Sequence, residues 1–201
     1  MGHGLFVTFE GAEGSGKTTQ VEMLVEWLAP RVPVVVREPG GTELGEKIRA
    51  IVLLSGLAID PEAEAYLFMA ARRQLVGEVI EPALAAGEIV IADRYHDSTL
   101  AYQGGGRGLS LSWLPSLPRP DVTFLLEGPV ETGRGRQKGA GKTPDRLEME
   151  SFEFYEKVVA EYARLADAEP ERFTRIDATR SKERVHLDVR KRLEALMELS
   201  R

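Results

Sequence analysis

The 201-residue sequence contains no cysteine, and this absence excludes several kinds of protein at once. Disulfide scaffolds, zinc ribbons, iron–sulfur sites and thiol nucleophiles all require a residue that the chain does not have. A chain of this length buries about 70% of its unfolded surface and needs no such cross-links. We therefore expect one compact domain spanning residues 1–201.

Long apolar runs are also missing. No stretch approaches the roughly 20 apolar residues of a membrane span, and the first residues lack the basic and long apolar regions of a secretion signal. We therefore expect a cytoplasmic protein with no membrane partner. The net charge of −6 is opposite in sign to that of proteins that coat nucleic acid, so no nucleic-acid partner is expected.

Short apolar runs alternate with longer amphipathic stretches along the chain. Continuous apolar strands that are each followed by a helix are typical of a parallel sheet covered on both faces. The pattern predicts a three-layer α/β fold, with a five-stranded parallel sheet flanked by helices. Strands are predicted at 5–10, 33–37, 89–93, 122–127 and 173–177, and helices at 17–28, 43–54, 60–79, 146–167 and 182–199. Pro82 is expected to end or kink the third helix, and the glycine-rich segments 104–108 and 133–144 are predicted as loops.

One segment, GAEGSGKT at residues 11–18, fits the phosphate-binding pattern GxxxxGK[ST] and lies between a predicted strand and a predicted helix. Glycines let consecutive backbone N–H groups face phosphate oxygens at a helix N-terminus. Lys17 can then reach the β- and γ-phosphates, and the Thr18 hydroxyl suits Mg²⁺. The predicted ATP-binding residues are Gly11, Ala12, Glu13, Gly14, Ser15, Gly16, Lys17 and Thr18.

A P-loop names a superfamily, within which GTPase switches, ATP-driven machines and small-molecule kinases compete. GTPases read guanine with an NKxD element, and this chain contains no asparagine. Motor-type ATPases usually end an apolar strand in Asp-Glu, whereas the strand here ends in Asp93-Arg94. A cation beside that aspartate suits a second anionic substrate, so the kinase class is favoured.

Further segments give the sequence a resemblance to bacterial thymidylate kinases. Beside the P-loop these are REPGGT at 37–42, DRY at 93–95, STLAYQGGGRG at 98–108 and DRLE at 145–148. They occur in that family's order, and the resemblance covers essentially the whole chain. It implies a P-loop NTPase fold, a homodimer, and transfer of the γ-phosphoryl group of Mg·ATP to dTMP, giving dTDP and ADP.

The resemblance also implies residue roles at the phosphates. Lys17, Arg94 and one cation of a lid at about 133–145 would be catalytic, and Thr18 and Asp93 would hold Mg²⁺. Arg136 is taken as the lid cation, although this lid departs from the family's pattern and leaves the choice open. Its candidates are Arg134, Arg136, Lys138, Lys142 and Arg146.

For the acceptor nucleotide, the resemblance implies that Phe68 stacks on thymine, Arg72 donates to a ring carbonyl and Tyr102 crowds the sugar 2′ position. The implied dTMP-binding residues are Glu13, Glu38, Pro39, Arg49, Phe68, Arg72, Arg94, Thr99, Tyr102 and Gln103. Two alternatives stay open. One is a P-loop kinase for UMP or dUMP, since a single methyl group separates thymine from uracil. The other is a regulatory module that binds nucleotide without turnover.

Overall fold

The fold is built around a single parallel sheet in the computed structural model, which describes residues 4–29, 31–139 and 144–199. The strands run in the spatial order β2-β3-β1-β4-β5, and every pair is parallel. They are β1 Leu5–Glu10, β2 Val34–Arg37, β3 Ile89–Asp93, β4 Val122–Glu127 and β5 Phe173–Asp177. The predicted five-stranded parallel sheet is confirmed, and only the start of β2 differs, by one residue.

Helices cover both faces of this sheet. They are α1 Lys17–Leu28, α2 Glu43–Arg49, α3 Pro61–Leu75, α4 Glu81–Ala85, α5 His96–Thr99, α6 Val130–Gly139, α7 Phe152–Ala168 and α8 Lys182–Leu199. Wider π-helical turns extend three of them, at Ala50–Leu54 after α2, Val76–Ile80 between α3 and α4, and Leu100–Gly106 after α5. In the part of the chain that the structure describes, no helix has the length and apolarity needed to cross a membrane.

Each face of the sheet has its own core because side chains alternate along a strand. Val7 and Phe9 of β1 face α1 and α8, where Leu24 and Val189 are fully buried. Phe6, between them in sequence, packs on the opposite face against α3, α4 and the π-helical turn that joins them. These two buried faces give the three layers.

Helix starts follow the capping residues. The Asp60 side chain accepts hydrogen bonds from the N–H groups of Glu62 and Ala63, which starts α3 where the sequence predicts it. The predicted start of α7 at residue 146 is wrong, since residues 146–149 form a separate turn. The helix begins at residue 152, because the Ser151 hydroxyl accepts from the N–H of Phe154 and caps it there.

The sequence predicts that Pro82 ends or kinks the third helix and that Gly87 closes its continuation. The helix does continue past Pro82, and Gly87 follows its end with a left-handed φ of 80°. The π-helical turn Val76–Ile80 leads directly into α4, and Pro82 lies in the first turn of that helix. The helical path therefore continues to residue 85.

Both glycine-rich segments predicted as loops are largely helical. Residues 104–106 belong to the π-helical turn after α5, where glycine permits close contact with α7: a Cβ on Gly105 would lie 2.6 Å from the Cβ of Glu161. Residues 133–139 belong to α6, where a Cβ on Gly133 would lie 2.3 Å from the carbonyl oxygen of Glu13. Residues 140–143 of the predicted lid lie outside the described residues.

Candidate active site

The carboxyl ends of β1, β2 and β3 open into one cleft of about 1080 Å³. This is the edge at which open parallel sheets bind ligands. All of the predicted dTMP-binding residues line it, together with Lys17, Thr18, Asp93 and Arg136. A smaller pocket beside it, at the end of β4, is lined by the P-loop residues Gly11, Ala12 and Ser15.

The P-loop turns tightly between β1 and α1. Gly11, Gly14 and Gly16 have φ values of 137°, 69° and 98°, a region that favours glycine. A Cβ on Gly14 would also lie 2.1 Å from the carbonyl oxygen of Gly133, so this glycine lets α6 approach the loop. The N-terminus of α1 follows at Lys17, and a helix start of this kind attracts phosphate.

Lys17 folds back over the loop that precedes it. Its Nζ donates to the carbonyl oxygens of Gly11 and Ala12, at 3.0 and 2.9 Å. Burial, together with the nearby Arg94 guanidinium, lowers its pKa to about 8, although Glu13 partly offsets this effect. The ammonium is thus held in a poorly hydrated position, where an added anion would stabilise its charge.

Thr18 and Asp93 join the P-loop to the end of β3. The Thr18 hydroxyl donates to Oδ2 of Asp93 over 2.7 Å. A hydroxyl and a carboxylate are hard oxygen ligands of the kind that Mg²⁺ prefers, and Mg²⁺ usually takes one or two from the protein and the rest from phosphate and water. Among the described residues no cluster of three or more His, Asp or Glu side chains could form a complete metal cage.

Arg94 is fixed in the cleft by both its backbone and its side chain. Its backbone is left-handed, with φ of 73°, and its N–H donates to the carbonyl oxygen of Phe9 in β1. The guanidinium pairs with the Glu13 carboxylate and donates to Gly11 O and to the Ser98 hydroxyl. Burial alone would lower the Arg94 pKa, but Glu13, Tyr102, Tyr162 and Glu10 together outweigh it and raise the pKa above its usual value.

Glu10 supports this arrangement and was not among the predicted site residues. It is fully buried at the end of β1, where it accepts hydrogen bonds from the Tyr95 N–H, the Ser98 hydroxyl and the Tyr162 hydroxyl, at 2.7 to 2.8 Å. Through Ser98 it fixes the turn that carries Arg94. The available signal was an acidic residue that ends an apolar strand immediately before the P-loop.

The far side of the cleft is formed by α3 and by the segment after α5. Phe68 and Arg72, one helical turn apart, both line it, as predicted. Arg72 donates to Glu38 Oε2, Thr99 Oγ1 and Tyr95 O, at 2.6, 2.7 and 3.0 Å. Its planar guanidinium is therefore held rigidly between the loop after β2, which carries Glu38, and α5 with its capping residue Tyr95.

Glu38, the carboxylate that accepts from Arg72, has a pKa near neutral pH. Burial raises its pKa to about 7, and the Arg72 charge offsets only part of that effect. Its second oxygen, Oε1, is buried with no hydrogen-bond partner among the described residues. The next residue of the same loop, Pro39, is bound by Arg49, whose Nη1 donates to the Pro39 carbonyl oxygen at 2.9 Å.

The lid cations separate into two groups. Arg134 and Arg136 line the cleft, and Arg136 donates to Gly14 O at 3.4 Å and to Ala178 O at 3.0 Å, which places it across the P-loop. Arg146 instead turns inward and pairs with Glu64. Lys142 and the side chain of Lys138 lie outside the described residues.

These features define a class of protein. A P-loop at the carboxyl edge of a parallel sheet, with a second set of arginines across the same cleft, is the arrangement of a P-loop kinase with separate donor and acceptor sides. A sequence model of the thymidylate kinase family matches residues 9–189. The chain therefore belongs to the thymidylate kinase family, within the nucleoside monophosphate kinases.

Individual relatives agree with this assignment. The chain is 50% identical to thymidylate kinase of Cupriavidus metallidurans over 186 residues, covering 89% of this chain and 92% of that one. It is also 50% identical to thymidylate kinase of Thermomicrobium roseum, covering 87% of each. A crystal structure of thymidylate kinase from Ehrlichia chaffeensis is similar with a TM-score of 0.77 and 32% identity, covering 95% of this chain and 99% of that one.

Proposed function

We propose that this thymidylate kinase phosphorylates dTMP in the cleft described above, with Lys17, Arg94 and Arg136 as its catalytic cations. An oxygen of the dTMP phosphate bonds to the γ-phosphorus of ATP, the bond from that phosphorus to the β–γ bridging oxygen breaks, and ADP leaves with the electron pair. The attacking oxygen is already anionic, so no general base is needed. The observation that carries this proposal is that Lys17 and Arg94 line the same cleft and both donate to the carbonyl oxygen of Gly11, at 3.0 and 3.1 Å.

Catalysis then consists of positioning and charge neutralisation. Lys17 would exchange its bonds to the carbonyl oxygens of its own loop for bonds to the β- and γ-phosphates. Arg94, with its fixed backbone, would contact the transferring phosphoryl group from the acceptor side. Arg136 on α6 would lie over the donor phosphates, where Gly133 packs closely against the P-loop.

Thr18 and Asp93 fit a magnesium ion bound with ATP. They are the residues that would hold it, since their oxygens already lie together beside the P-loop. The ion supplies charge neutralisation at the donor phosphates when it is bound. The two protein oxygens leave most ligand positions to phosphate and water, as Mg²⁺ prefers.

The acceptor nucleotide would occupy the α3 side of the cleft. Arg49 and Arg94 would bind its phosphate as bidentate donors, and Glu13 would accept a hydrogen bond from the sugar 3′-hydroxyl. Arg94 is paired with Glu13 in the free protein, so the nucleotide would insert between two groups that are already oriented. The base would lie against Phe68, with Arg72, Thr99 and Gln103 at its edges, while Tyr102 excludes a 2′-hydroxyl.

The assembly would be a homodimer in the cytoplasm. Apolar side chains remain exposed on the helical face formed by α2 and its π-helical extension, where Leu44 is 46% and Ile51 42% exposed. A second copy would cover this face.

The first experiment is an ADP-release assay with Mg·ATP and a panel of dTMP, dUMP, UMP, CMP, AMP and GMP. We expect dTMP to give the highest kcat/KM, with measurable activity on dUMP because one methyl group is worth only about 1–3 kcal/mol. A preference for UMP over dTMP would contradict the role assigned to Tyr102. ADP release that no acceptor stimulates, with ATP still bound, would contradict the reaction and favour a binding module.

The Arg94→Ala variant tests the division of the cleft into two sides. We expect kcat/KM for dTMP to fall by a factor of about 10² to 10³, the usual effect of removing one preorganised donor. ATP affinity, measured by isothermal titration, should change little. Arg175→Ala is the matched control, because it removes an arginine from an ion pair with Glu127 that lies outside the cleft. Equal losses in the two variants would contradict the assignment.

A further inference from the structure

Glu64 is a buried carboxylate that does not line the cleft but contacts a residue that does. It lies on α3, one turn before Phe68, and is 1% exposed. Its Oε1 accepts a 2.7 Å hydrogen bond from Nε2 of Gln103. Gln103 itself lines the cleft beside Thr99 and Tyr102. Glu64 therefore stands directly behind a residue that faces the acceptor base.

Two guanidinium groups keep this carboxylate charged. Arg107 donates to both of its oxygens, at 3.4 and 3.3 Å, and Arg146 pairs with Oε2. Burial alone would raise the Glu64 pKa, but the Gln103 hydrogen bond and the two arginines together hold it below the usual value. An ionised carboxylate carries no proton, so every hydrogen bond that it makes must be accepted.

This charge fixes the orientation of the Gln103 amide. A carboxylate oxygen can face only the NH₂ group of an amide, so Nε2 must be the atom that lies against Glu64. The amide is planar, and its carbonyl oxygen is consequently directed away from Glu64. Gln103 is only 1% exposed and lines the cleft, so this orientation is fixed where the side chain meets the acceptor side.

We infer that Glu64 is a positioning residue for base selection, which acts by presenting the Gln103 carbonyl oxygen, and not its NH₂ group, to the acceptor base. The inference rests on the proposed dTMP site. Thymine and uracil carry a hydrogen on ring nitrogen N3, whereas the N3 of cytosine is an acceptor with an amino group beside it. A fixed acceptor therefore favours the first two bases and opposes cytosine.

The substitution Glu64→Gln removes the constraint while nearly preserving the shape of the side chain. The new amide can either accept from Gln103 or donate to it, so the Gln103 amide is free to rotate by 180°. In the rotated form its NH₂ group faces the base, where it suits cytosine and leaves the N3–H of thymine without a partner. Arg72 is untouched, so selection should weaken without disappearing.

The experiment compares kcat/KM for dTMP with kcat/KM for dCMP. In Glu64→Gln we expect the ratio of the two to fall at least about tenfold, because a site that hydrogen-bonds its substrate rejects a mismatched analogue strongly. The loss should appear mainly as a higher KM for dTMP, with the KM for ATP unchanged. A folded variant with the wild-type ratio would overturn the inference.

Two further variants separate positioning from a general structural role. Arg107→Gln removes a cation from the same carboxylate but leaves the Gln103 bond, so it should preserve the dTMP/dCMP ratio even if it lowers both values. In a Gln103→Ala background, Glu64→Gln should have no additional effect on the ratio. A changed ratio in Arg107→Gln, or a persisting effect without Gln103, would count against the proposal.

Glu64→Gln leaves two buried arginines with less compensating charge, and this variant could fail to fold. The charge-matched pair Glu64→Gln/Arg107→Gln, measured against Arg107→Gln alone, then gives the same comparison of ratios. The wild-type protein separates this inference from the reaction. Without dTMP-stimulated ADP release the proposed function fails, whereas normal dTMP turnover with an unchanged ratio in the variants defeats only the role of Glu64.

Discussion

At the scale of single residues, the cleft concentrates charges that are buried before any substrate arrives. Lys17, Arg94, Glu13 and Glu38 are all held in a region where burial acts against ionisation. Glu13 stays ionised because Arg94 and Lys17 outweigh its burial, whereas Glu38 has only Arg72 and one unsatisfied oxygen. Preorganisation for a charged substrate thus carries a cost in the free protein.

Glu38 therefore makes the stability of the free protein dependent on pH. Its pKa is about 7 in the folded state and about 4.5 in the unfolded chain, so between these values the folded state binds more protons. The free energy of unfolding must fall as pH rises through this window, by up to about 3 kcal/mol for this group. In Glu38→Gln we expect a smaller fall between pH 5 and 7.5, measured by urea unfolding.

The matched control for this measurement is Glu22→Gln. Glu22 is exposed on α1, away from the cleft, so this variant should lose as much stability between the two pH values as the wild type does. If Glu38→Gln also shows the full wild-type loss, the pH dependence does not come from Glu38.

At the scale of elements, glycines decide how closely helices approach the cleft. The π-helical turn after α5 carries the acceptor-side residues Tyr102 and Gln103, and it packs against α7. Two glycines, Gly105 and Gly106, face α7 so closely that a Cβ would collide with Glu161 or Phe154. The glycine run is therefore a packing surface that holds acceptor-side residues in place.

This packing predicts that two neighbouring glycine-to-alanine substitutions differ in their effect on stability. Gly105→Ala places a Cβ 2.6 Å from the Cβ of Glu161, which sits close to a helix backbone and cannot move away easily. We expect a loss of about 1–3 kcal/mol in unfolding free energy, as for other overpacked sites. Gly104→Ala meets only Leu111 at 3.4 Å and should change stability little. Equal effects in thermal or urea unfolding would contradict this account of the turn.

At the scale of the whole molecule, the exposed apolar face on α2 and its extension predicts the oligomeric state. Sedimentation velocity should show a dimer. Ile51→Glu should raise the dimer dissociation constant about 100-fold or more, because a charge would be buried at the interface without a partner. Val35→Glu, at an equally exposed position on the edge strand β2, should leave the dimer intact. A wild-type protein that is monomeric at tens of micromolar would contradict the proposal.

Sequence reasoning predicted the strands and most helices because their signals are local. Apolar runs such as 122–127, the P-loop spacing at 11–18 and the Asp60-Pro61 cap all act within a few residues. It placed the start of α7 too early, because a turn at 146–149 has the same composition as a helix. It read glycine as a loop signal at 104–108, where the glycines instead serve contact with a distant helix.

The candidate site also contains residues that sequence motifs identify and residues that only the structure reveals. The residues that motifs identify, from Lys17 to Gln103, do come together at one cleft, since the ends of parallel strands meet at one edge of the sheet. Glu10 and Glu64 escaped notice because neither belongs to a motif read from the sequence. Their importance lies in hydrogen bonds to Ser98 and Gln103, 88 and 39 residues away.

The sequence by itself determined which segments form buried strands, which loop has the phosphate-binding pattern and which cations follow the strands. Those properties depend on side-chain type and short spacing. Only the tertiary structure decided that Arg136 lies over the P-loop while Arg146 turns inward to Glu64, and that Nε2 of Gln103 lies against Glu64. Such choices depend on which buried charges neutralise one another, and a carboxylate and its partners become neighbours only once the helices have packed.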